Sequence, residues 1–397
     1  MDAGGALGHK VEMNSEGRAF DVVVIGGGLA GCAAAILLAE AGHRVTLLEQ
    51  HHYPRHKMCG EHLSAEATPI LKQLGVWETI QAERPARLTT ARIVEPRGRR
   101  LDVALPAPAL GFSRYRLDHL LLERARAVGV AVYEGCAASE VRGSLADGFE
   151  VEARGESFRA RVVLGAWGKR STLDRTLERQ FFAQRAGFMA LKAHFRGPAP
   201  EERTELYTFP GGYCGINLVE GGVVNLCLLA TDAAWARSGK RIEGMWAMIG
   251  RENPALGEQM RGAEKVSEDI VISNISFRRK APVEQEVLML GDSAELISPL
   301  AGNGQSMALS AAMLAAERAD AFLRGQMDAA TLCAGYAAAW RRQFRERLVL
   351  GRALQPLFLN PTALALGIRV ANLAPPVAQW LVNGTRARRL DSLTPTG

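Results

Sequence analysis

The sequence predicts an α/β protein with three parts: a nucleotide-binding domain with a parallel sheet, an interleaved α+β domain with an antiparallel sheet, and a helical C-terminus. Three observations support this. Residues 20–49 form one βαβ pattern, residues 187–231 four long alternating strands, and residues 287–322 a buried strand followed by a small-residue helix. The first and third segments favour a parallel sheet flanked by helices, and the second favours an antiparallel sheet between them.

The βαβ unit carries a glycine pattern typical of dinucleotide binding. Gly26, Gly28 and Gly31 follow the first strand as GxGxxG and open the helix. Glu49 ends the second strand, 18 positions after the last of these glycines. The first glycine allows a tight turn, the second leaves room for a diphosphate at the helix N-terminus, and the third lets the helix pack closely on the strand. Glu49 is then placed to accept hydrogen bonds from the adenosine ribose.

The following elements lead into the second domain and back. Residues 89–103 alternate polar and apolar side chains around a Pro-Arg-Gly turn, which predicts a hairpin. A helix is predicted from Arg114 to about Val128. An arginine at its start can reach a phosphate, and the alternative is a solvated helix end. Further predicted elements are a hairpin over 149–160, a separate strand over 161–166, a mainly helical stretch over 235–260 and a strand over 270–275.

The chain is predicted to cross between its domains more than once. At 397 residues and 48% hydrophobic composition, it can form two joined domains. The predicted limits are a disordered leader over 1–19, a nucleotide-binding domain over 20–75, 107–180 and 280–345, a substrate domain over 76–106 and 181–279, and a helical C-terminal segment over 346–397.

Charge and composition exclude several classes of protein. The net charge of +6 and the pI near 9.1 come from scattered arginines and not from a basic stripe with aromatics, so nucleic-acid binding is not predicted. The leader has no apolar core of signal-peptide length, so no signal peptide is predicted. Outside the βαβ unit, no run of 18 uncharged apolar residues occurs, so no membrane span is predicted. Six widely spaced cysteines without a CxxC pattern indicate reduced thiols and a cytoplasmic protein.

The connector over residues 50–64 contains four histidines without the spacing of a metal site. They are His51, His52, His56 and His62. They lack the paired helical ligands of a zinc site, and proline and glycine mark the stretch as a loop. We therefore predict no bound metal.

A second ligand-facing turn is predicted near residue 300. The buried strand ends in Gly291-Asp292, and the run Gly302-Asn303-Gly304 precedes the last small-residue helix. Free backbone N–H groups at that helix N-terminus favour an electron-rich ligand. This turn lies some 270 residues after the first glycine turn, so the two could hold opposite ends of one long cofactor.

The combination of motifs resembles the FAD superfamily of p-hydroxybenzoate hydroxylase type. Within it, the chain is most similar to geranylgeranyl reductases and ubiquinone-hydroxylase-like oxidoreductases. The resemblance rests on the GxGxxG unit, Lys57-x-Cys59-Gly60-Glu61, FPGGY over 209–213 and GDSAELISPLAGNGQSMAL over 291–309. It covers about residues 20–325 and is specific for FAD, which implies a Rossmann-like FAD-binding domain joined to a substrate domain.

The resemblance also implies roles for individual residues at both ends of FAD. The ADP half would be held by Gly26, Gly28, Gly31 and Glu49, with support from Arg114. Asp292, after Gly291, would bind ribityl or ribose hydroxyls. The turn of Pro299, Gly302, Asn303 and Gly304 would lie against the isoalloxazine and stabilise the anionic reduced flavin.

Cys59, Glu61 and His62 are the candidate catalytic residues, because the equivalent loop in relatives approaches the isoalloxazine. Cys59 is a candidate redox or proton-relay residue, and the alternative is a half-buried structural thiol. His62 is a candidate general base, and the alternative is a histidine bonded to nearby backbone.

Two departures from the family pattern bear on the reaction. Trp167 stands where the second nucleotide motif of the family has an aspartate. This leaves open whether NAD(P)H binds in the usual way or another donor reduces the flavin. The WxWxIP signature of flavin-dependent halogenases is absent, which disfavours halogenation.

Three functions remain open from the sequence. The first is an FAD-dependent monooxygenase acting on a lipophilic aromatic, polyketide or isoprenoid secondary metabolite through a flavin C4a-hydroperoxide, with NAD(P)H as reductant. The second is an FAD-dependent reductase or dehydrogenase of carbon–carbon bonds. The third, a non-catalytic flavin-binding or assembly protein, is least favoured because both cofactor motifs are intact. The oligomeric state is left open.

The C-terminal segment has two alternative interpretations. Residues 348–381 are rich in leucine, alanine and valine, are interrupted by four prolines and are followed by the basic run Arg386–Arg389. They predict either short packed helices or an apolar lid whose basic edge contacts a membrane. The second alternative would place residues 348–389 against the inner membrane, and both suit a lipophilic substrate.

Overall fold

The computed structural model describes residues 18–183 and 186–374, together with 376, 379, 383 and 384. Most of the predicted leader and the basic run Arg386–Arg389 lie outside the described residues. The last two residues of the predicted leader, Arg18 and Ala19, are not a leader but the start of the first strand.

The chain forms seventeen strands and eleven α-helices within the described residues. The strands are β1 (Arg18–Ile25), β2 (Val45–Leu48), β3 (His62–Leu63), β4 (Ala86–Val94), β5 (Arg100–Gly111), β6 (Ala131–Tyr133), β7 (Ala138–Ser144), β8 (Gly148–Ala153), β9 (Glu156–Gly165), β10 (Phe188–Arg196), β11 (Arg203–Phe209), β12 (Gly212–Leu218), β13 (Val224–Thr231), β14 (Glu264–Lys265), β15 (Ile270–Ile275), β16 (Val283–Glu284) and β17 (Val287–Met289). The helices are α1 (Leu29–Glu40), α2 (Ala67–Gln73), α3 (Trp77–Ala82), α4 (Arg114–Ala127), α5 (Leu173–Thr176), α6 (Asp232–Arg237), α7 (Ile242–Glu252), α8 (Pro254–Gln259), α9 (Gly304–Leu323), α10 (Ala329–Leu359) and α11 (Pro361–Leu373).

The first sheet is the predicted parallel sheet of the nucleotide-binding domain. Its order is β16-β17-β9-β1-β2-β6, and the β7–β8 hairpin joins it through β9. The strand β1 pairs in parallel on both sides, with Val24 opposite Leu47 of β2 and Leu164 of β9. Helix α1 packs on α4 and α9. Since the strands of a parallel sheet are covered on both faces, the near-continuous apolar run of β1 fits this central position.

The strand β9 differs from the prediction of a hairpin strand and a separate strand over 161–166. It runs without a break over Glu156–Gly165. It pairs with β8 on one edge and with β1 on the other. Phe158, Ala160 and Val162 are buried at every second position, and this alternation continues across the expected break between residues 160 and 161. No turn residue interrupts this alternation, so the hairpin strand continues directly into the parallel sheet.

The second sheet contains the four predicted long strands as β10–β13. Its order is β14-β10-β13-β12-β11-β4-β5-β3, with β15 also paired to β10. The sheet is antiparallel except for β11 and β4, which are parallel, with Leu206 opposite Ile93. Long connections through the first domain separate these two strands, so no tight turn forces them to run in opposite directions.

The two faces of β10 point to different parts of the molecule. Met189 and Leu191 pack with residues of α7 and α8 on the outer face of the sheet. Ala190 packs on the inner face with Met58 of the connector after β2. Because side chains alternate along a strand, Lys192 and His194 share this inner face with Ala190.

The C-terminal part of the described chain is one long helix followed by a shorter one. The Asp328 carboxylate caps α10 by accepting a hydrogen bond from the Thr331 amide, at 2.7 Å. The expected break at Pro356 does not occur: α10 continues to Leu359, although the proline removes one intrahelical hydrogen bond. The break comes at Asn360, whose side chain caps α11, and Pro361 occupies the first helical position. Among the described residues, no helix has both the length and the apolar character needed to cross a bilayer.

Candidate functional site

The glycine turn between β1 and α1 is held together by close backbone contacts. Gly26 has a φ of +109°, and a Cβ there would lie 2.4 Å from the carbonyl oxygen of Ala166. A Cβ on Gly31 would lie 1.9 Å from the carbonyl oxygen of Gly26. Glycine is therefore required at both positions for the turn to form and for α1 to approach the sheet.

Gly28 differs from its neighbours because it faces open space. A Cβ there would have only the Nζ atom of Lys57, at 3.7 Å, and an Nη atom of Arg114, at 4.0 Å, within reach. Arg114 donates two hydrogen bonds to Asp118, at 2.7 and 2.9 Å, and Lys57 lies 3.6 Å from the same carboxylate. Two cations and the N-terminus of α1 thus surround the space in front of Gly28, which suits a diphosphate.

Glu49 lies behind the glycine turn and is almost fully buried. Its Oε2 atom accepts a hydrogen bond from the Gly27 amide at 2.7 Å, and its Oε1 atom accepts one from the His51 amide at 2.9 Å. Each carboxylate oxygen has a further lone pair, so both can still accept from a ribose hydroxyl. The position agrees with the predicted role, and the two amides fix the carboxylate in place.

The second half of the predicted cofactor site comes together with the first where α1 meets α9. A Cβ on Gly291 would lie 3.4 Å from the Cβ atoms of Ala30 and Ala308, so the Gly-Asp turn fits between the two helices. Asp292 follows in a half-buried position, and its carboxylate has no hydrogen bond to any described residue. A half-buried acceptor of this kind fits a ribityl or ribose hydroxyl.

The turn before α9 has the geometry expected for contact with a flat ligand. Pro299 begins a short 3-10 turn, Gly302 takes a left-handed φ of +62°, and Gly304 is the first residue of α9. Asn303, between them, is fully buried. The main chain of the turn is therefore fixed, with the helix N-terminus beside it.

The predicted catalytic loop lies directly against this turn. A Cβ on Gly302 would be 3.1 Å from the His62 ring. Gln305, in the first turn of α9, donates a hydrogen bond of 3.4 Å to the Cys59 sulfur. The structure thus brings Cys59 and His62 to the place where the isoalloxazine is predicted to lie.

Glu61, in the same loop, is fully buried and is enclosed by basic groups from the second domain. Its Oε1 atom lies 2.5 Å from Lys192 Nζ, and its Oε2 atom lies 2.7 Å from His194 Nε2. Its Oε1 atom also accepts the Arg114 amide at 2.9 Å. Burial opposes ionisation, but the Lys192 ammonium and the His194 hydrogen bond outweigh it and lower the pKa of Glu61 to about 2. Glu61 is therefore a fixed negative charge at neutral pH and cannot donate a proton.

Lys192 and His194 were missed by reasoning from the sequence. A signal exists, because a lysine and a histidine two positions apart on an apolar strand must share one face. His56 also joins this group, with its ring centroid 4.9 Å from that of His194. Within the described part of the chain, no three or more His, Cys, Asp or Glu side chains are arranged to hold a metal ion.

A carboxylate lies beside Trp167, although Trp167 itself replaces the aspartate of the family motif. Its indole Nε1 donates to the carboxylate of Asp174 at 3.0 Å, and Arg179 donates to the same oxygen at 2.9 Å. The Ser171 amide bonds the other oxygen at 2.7 Å. Asp174, seven residues later in the chain, thus organises this loop and was not predicted from the sequence.

The residues present fit FAD at both ends. The space in front of Gly28 suits the diphosphate, the Glu49 carboxylate suits the adenosine ribose, and the Asp292 carboxylate is available for a hydroxyl of the flavin side chain. The turn before α9 then lies where the ring system would follow.

Comparison with known proteins agrees with this fit. Residues 19–349 match the family described as FAD binding domain. A tryptophan 2-halogenase from Chondromyces crocatus is 26% identical over 356 residues, which make up 81% of this chain and 65% of the halogenase. The chain thus spans less than two thirds of that relative.

Two other similar proteins belong to different functional classes. A digeranylgeranylglycerophospholipid reductase from Methanopyrus kandleri is 28% identical over 358 residues, 84% of this chain and 89% of the reductase. The solved structure of PqsL, described as a probable FAD-dependent monooxygenase from Pseudomonas aeruginosa, superposes with a TM-score of 0.72 at 20% identity, and covers 88% of this chain and 99% of PqsL. The family match covers most of the chain, and the fold agrees with it: the protein belongs to the FAD binding domain family and is an FAD-dependent oxidoreductase.

Proposed function

We propose that the protein is an FAD-dependent monooxygenase that hydroxylates a lipophilic aromatic, polyketide or isoprenoid compound, with NAD(P)H as the reductant. The observation that carries the proposal is an apolar cluster enclosed by the second sheet, by helices α10 and α11, and by two turns on the predicted flavin side, the connector around Met58 and the turn around Leu296. We call it the inner apolar cluster. Its buried members are Met58, Ala190, Tyr213, Leu229, Ile275, Leu296, Phe358, Leu364 and Ile368.

The inner apolar cluster has the composition of a site for a lipophilic molecule. Met58 and Leu296 reach it from the flavin side, and Phe188 and Phe277 are partly buried against it, with their ring centroids 5.4 Å apart. Partly buried aromatic and aliphatic side chains favour an apolar ligand that covers them. Reduced FAD supplies the activation of oxygen, and the contribution of these side chains is to bind the substrate and exclude water.

The state of Glu61 removes one candidate proton donor for the saturation of a carbon–carbon double bond. Saturation adds a hydride and a proton, so it requires a proton donor beside the substrate. Glu61 is the carboxyl group of the loop, but its pKa of about 2 keeps it ionised. It stabilises Lys192 and His194 and does not serve as the acid.

The second candidate function is an FAD-dependent reductase of carbon–carbon bonds. It is favoured by the similarity to the Methanopyrus kandleri reductase and by the position of Cys59, a half-buried thiol beside the turn that precedes α9. A thiol there could deliver the required proton. Halogenation is less favoured, because the WxWxIP sequence is absent.

The basic run that ends at Lys280, a side chain beside Asp292, supports a phosphate-bearing reductant. The Lys280 ammonium donates to the main-chain oxygens of Asp292, at 2.7 Å, and Lys169, at 2.9 Å. Burial lowers the pKa of Lys280 to about 8. Arg278 and Arg279 precede it and are exposed. These charges suit the phosphates of NAD(P)H. Phosphate binding at this place would compensate for the missing aspartate at position 167.

The reaction is tested with isotopically labelled O₂. The purified yellow protein is supplied with NADPH and a panel of phenolic and polyprenyl compounds, and products are analysed by mass spectrometry. Incorporation of one labelled oxygen atom is expected for the monooxygenase. A product that gains two hydrogens under anaerobic conditions would instead establish the reductase.

The reductant site is tested separately by charge reversal. Replacing Arg278 and Arg279 by glutamate is expected to slow flavin reduction by NADPH at least about tenfold, which corresponds to 1.4 kcal/mol. Reduction by dithionite should be unchanged. Arg341 and Arg342, an exposed pair on α10, provide the matched control. Equal rates in both double variants would contradict this site.

A further inference from the structure

The helix α11 is apolar on two opposite faces. Leu364 and Ile368 are buried and belong to the inner apolar cluster. On the other side, Leu366, Val370 and Leu373 are 63%, 52% and 87% exposed. Their spacing of four and three residues places them in one stripe along the helix.

This stripe is unusual for the molecule. Three other large hydrophobic side chains are exposed in the described part of the chain: Val266, Val271 and Val349. Each of them is less exposed than any member of the α11 stripe. A continuous exposed apolar surface on a helix marks a contact with a partner or a membrane.

We propose that the outer face of α11 docks on the surface of a membrane that contains anionic phospholipids. The charges of this part of the chain favour a lipid surface over a protein partner. Arg369 is exposed between members of the stripe, and the sequence after α11 contains the basic run Arg386–Arg389. No acidic residue occurs in the sequence between Asn360 and Leu390. An apolar helix face combined with basic residues is the pattern of helices that lie in the interface plane of a membrane.

Docking would take place parallel to the membrane and not across it. The helix has 13 residues, whereas a transmembrane helix requires about 20. The stripe would insert into the region between headgroups and acyl chains, with Arg369 at the phosphates. Contact of this kind is reversible and depends on salt and on lipid charge.

The position of α11 gives the docking a consequence for the substrate, and this step rests on the proposed function. Leu364 and Ile368 on its inner face contact the same cluster that reaches Met58 on the flavin side. One helix therefore separates the membrane surface from the inner apolar cluster. A lipophilic substrate could enter beside α11 without passing through bulk water.

The proposal is tested by sedimentation of the FAD-loaded full chain with vesicles. Vesicles of phosphatidylcholine alone are compared with vesicles that also contain phosphatidylglycerol. The wild-type protein is expected to sediment with the anionic vesicles and to be released by high salt. The triple variant Leu366→Gln, Val370→Gln, Leu373→Gln should bind at least about tenfold more weakly.

The control is the double variant Val266→Gln, Val271→Gln, which removes exposed valines outside α11. It should bind vesicles as the wild type does. Flavin content and the thermal midpoint should be unchanged in both variants, because all five side chains are exposed. Equal vesicle binding by the triple variant, or no binding by the wild type, overturns the proposal.

Oligomeric mass separates this proposal from a subunit interface. If the wild type is a dimer and the triple variant a monomer in the absence of vesicles, the stripe is an interface between copies of this chain and the proposal is wrong. Failure of the proposed function gives a different result. A protein that binds vesicles through α11 but incorporates no labelled oxygen retains the docking and loses the monooxygenase assignment.

Discussion

Glu61 and Lys192 form a buried ion pair in which the carboxylate Oε1 lies 2.5 Å from the ammonium Nζ, with side chains 0% and 1% exposed. Glu61 belongs to the loop beside the flavin-side turn, and Lys192 belongs to the inner face of β10. The pair therefore joins the connector after β2 to the inner face of β10 in the second sheet. Its members are 131 residues apart in sequence, so the link forms only when both parts are folded.

Replacing Lys192 by methionine is expected to destabilise the protein by about 3–5 kcal/mol, because it leaves the Glu61 carboxylate buried without its main counter-charge. Urea unfolding of the FAD-loaded protein measures the loss. Lys265→Met is the matched control, since Lys265 forms an exposed pair with Asp269 and should contribute less than about 1 kcal/mol. Similar losses in the two variants would show that Glu61 does not depend on Lys192.

The stability of the protein should depend on pH through Glu61. Its pKa is about 2 in the folded protein and 4.5 ordinarily, so the unfolded chain takes up the proton first as the pH falls. The contribution is fully present above pH 4.5 and is lost as the pH falls towards 2. A shift of this size corresponds to about 3 kcal/mol.

Urea unfolding of wild type and Glu61→Gln between pH 6 and about pH 3.5 measures this loss. The wild type should lose stability more steeply than the variant in the lower half of the range. Glu243→Gln, at an exposed position, should follow the wild-type curve. Parallel curves for wild type and Glu61→Gln would contradict the assignment of an ionised Glu61.

The parts of the site that are local in sequence could be predicted from the sequence, and the parts that depend on distant contacts could not. Gly31 packs on the carbonyl oxygen of Gly26 within one βαβ unit, so residue spacing was sufficient to predict this turn, whereas the contact of Gly26 with Ala166 comes from a distant strand end. Glu61 could be selected as a site residue, but its ionisation depends on Lys192 and His194, which reach it from another domain. Its function as a fixed charge therefore followed only from the structure.

The same distinction applies to the fold. The alternation of β10–β13 predicted four strands, and the structure has them. The direction in which β11 pairs with β4 depends on where the chain re-enters the sheet, which no local pattern specifies. In the same way, Trp167 was recognised as a departure from the family, but Asp174 as its partner required the folded loop.

Trp167→Phe should lower the free energy of unfolding by about 1 kcal/mol, because it removes the hydrogen bond from the indole to buried Asp174. Trp167→Asp, which restores the residue found in the family, should be more destabilising, because it adds a second carboxylate near Asp174. Thermal unfolding followed by circular dichroism compares the two variants. If Trp167→Asp is the more stable one and is reduced faster by NADPH, then this loop works as it does in the relatives, and the basic run that ends at Lys280 is not needed for the reductant.

Gly28→Ala should weaken FAD binding and Gly31→Ala should lower the stability of the fold, although both add one methyl group to the same motif. At Gly28 the nearest atom to the new Cβ is 3.7 Å away, so the protein should fold, but the methyl group occupies the space predicted for the diphosphate. The dissociation constant for FAD should rise at least about tenfold, measured by fluorescence titration of the apoprotein. At Gly31 the new Cβ would lie 1.9 Å from a backbone oxygen, so α1 must move and the loss should appear in the thermal midpoint.

Gly187→Ala serves as the control for both variants, because a Cβ at Gly187 has no atom within 4 Å. It should retain both the FAD affinity and the thermal midpoint of the wild type. An unchanged FAD affinity in Gly28→Ala would mean that the diphosphate does not pass in front of this glycine. The cations Lys57 and Arg114 would then serve only to balance Asp118, and the interpretation of the space between them as a diphosphate site would be wrong.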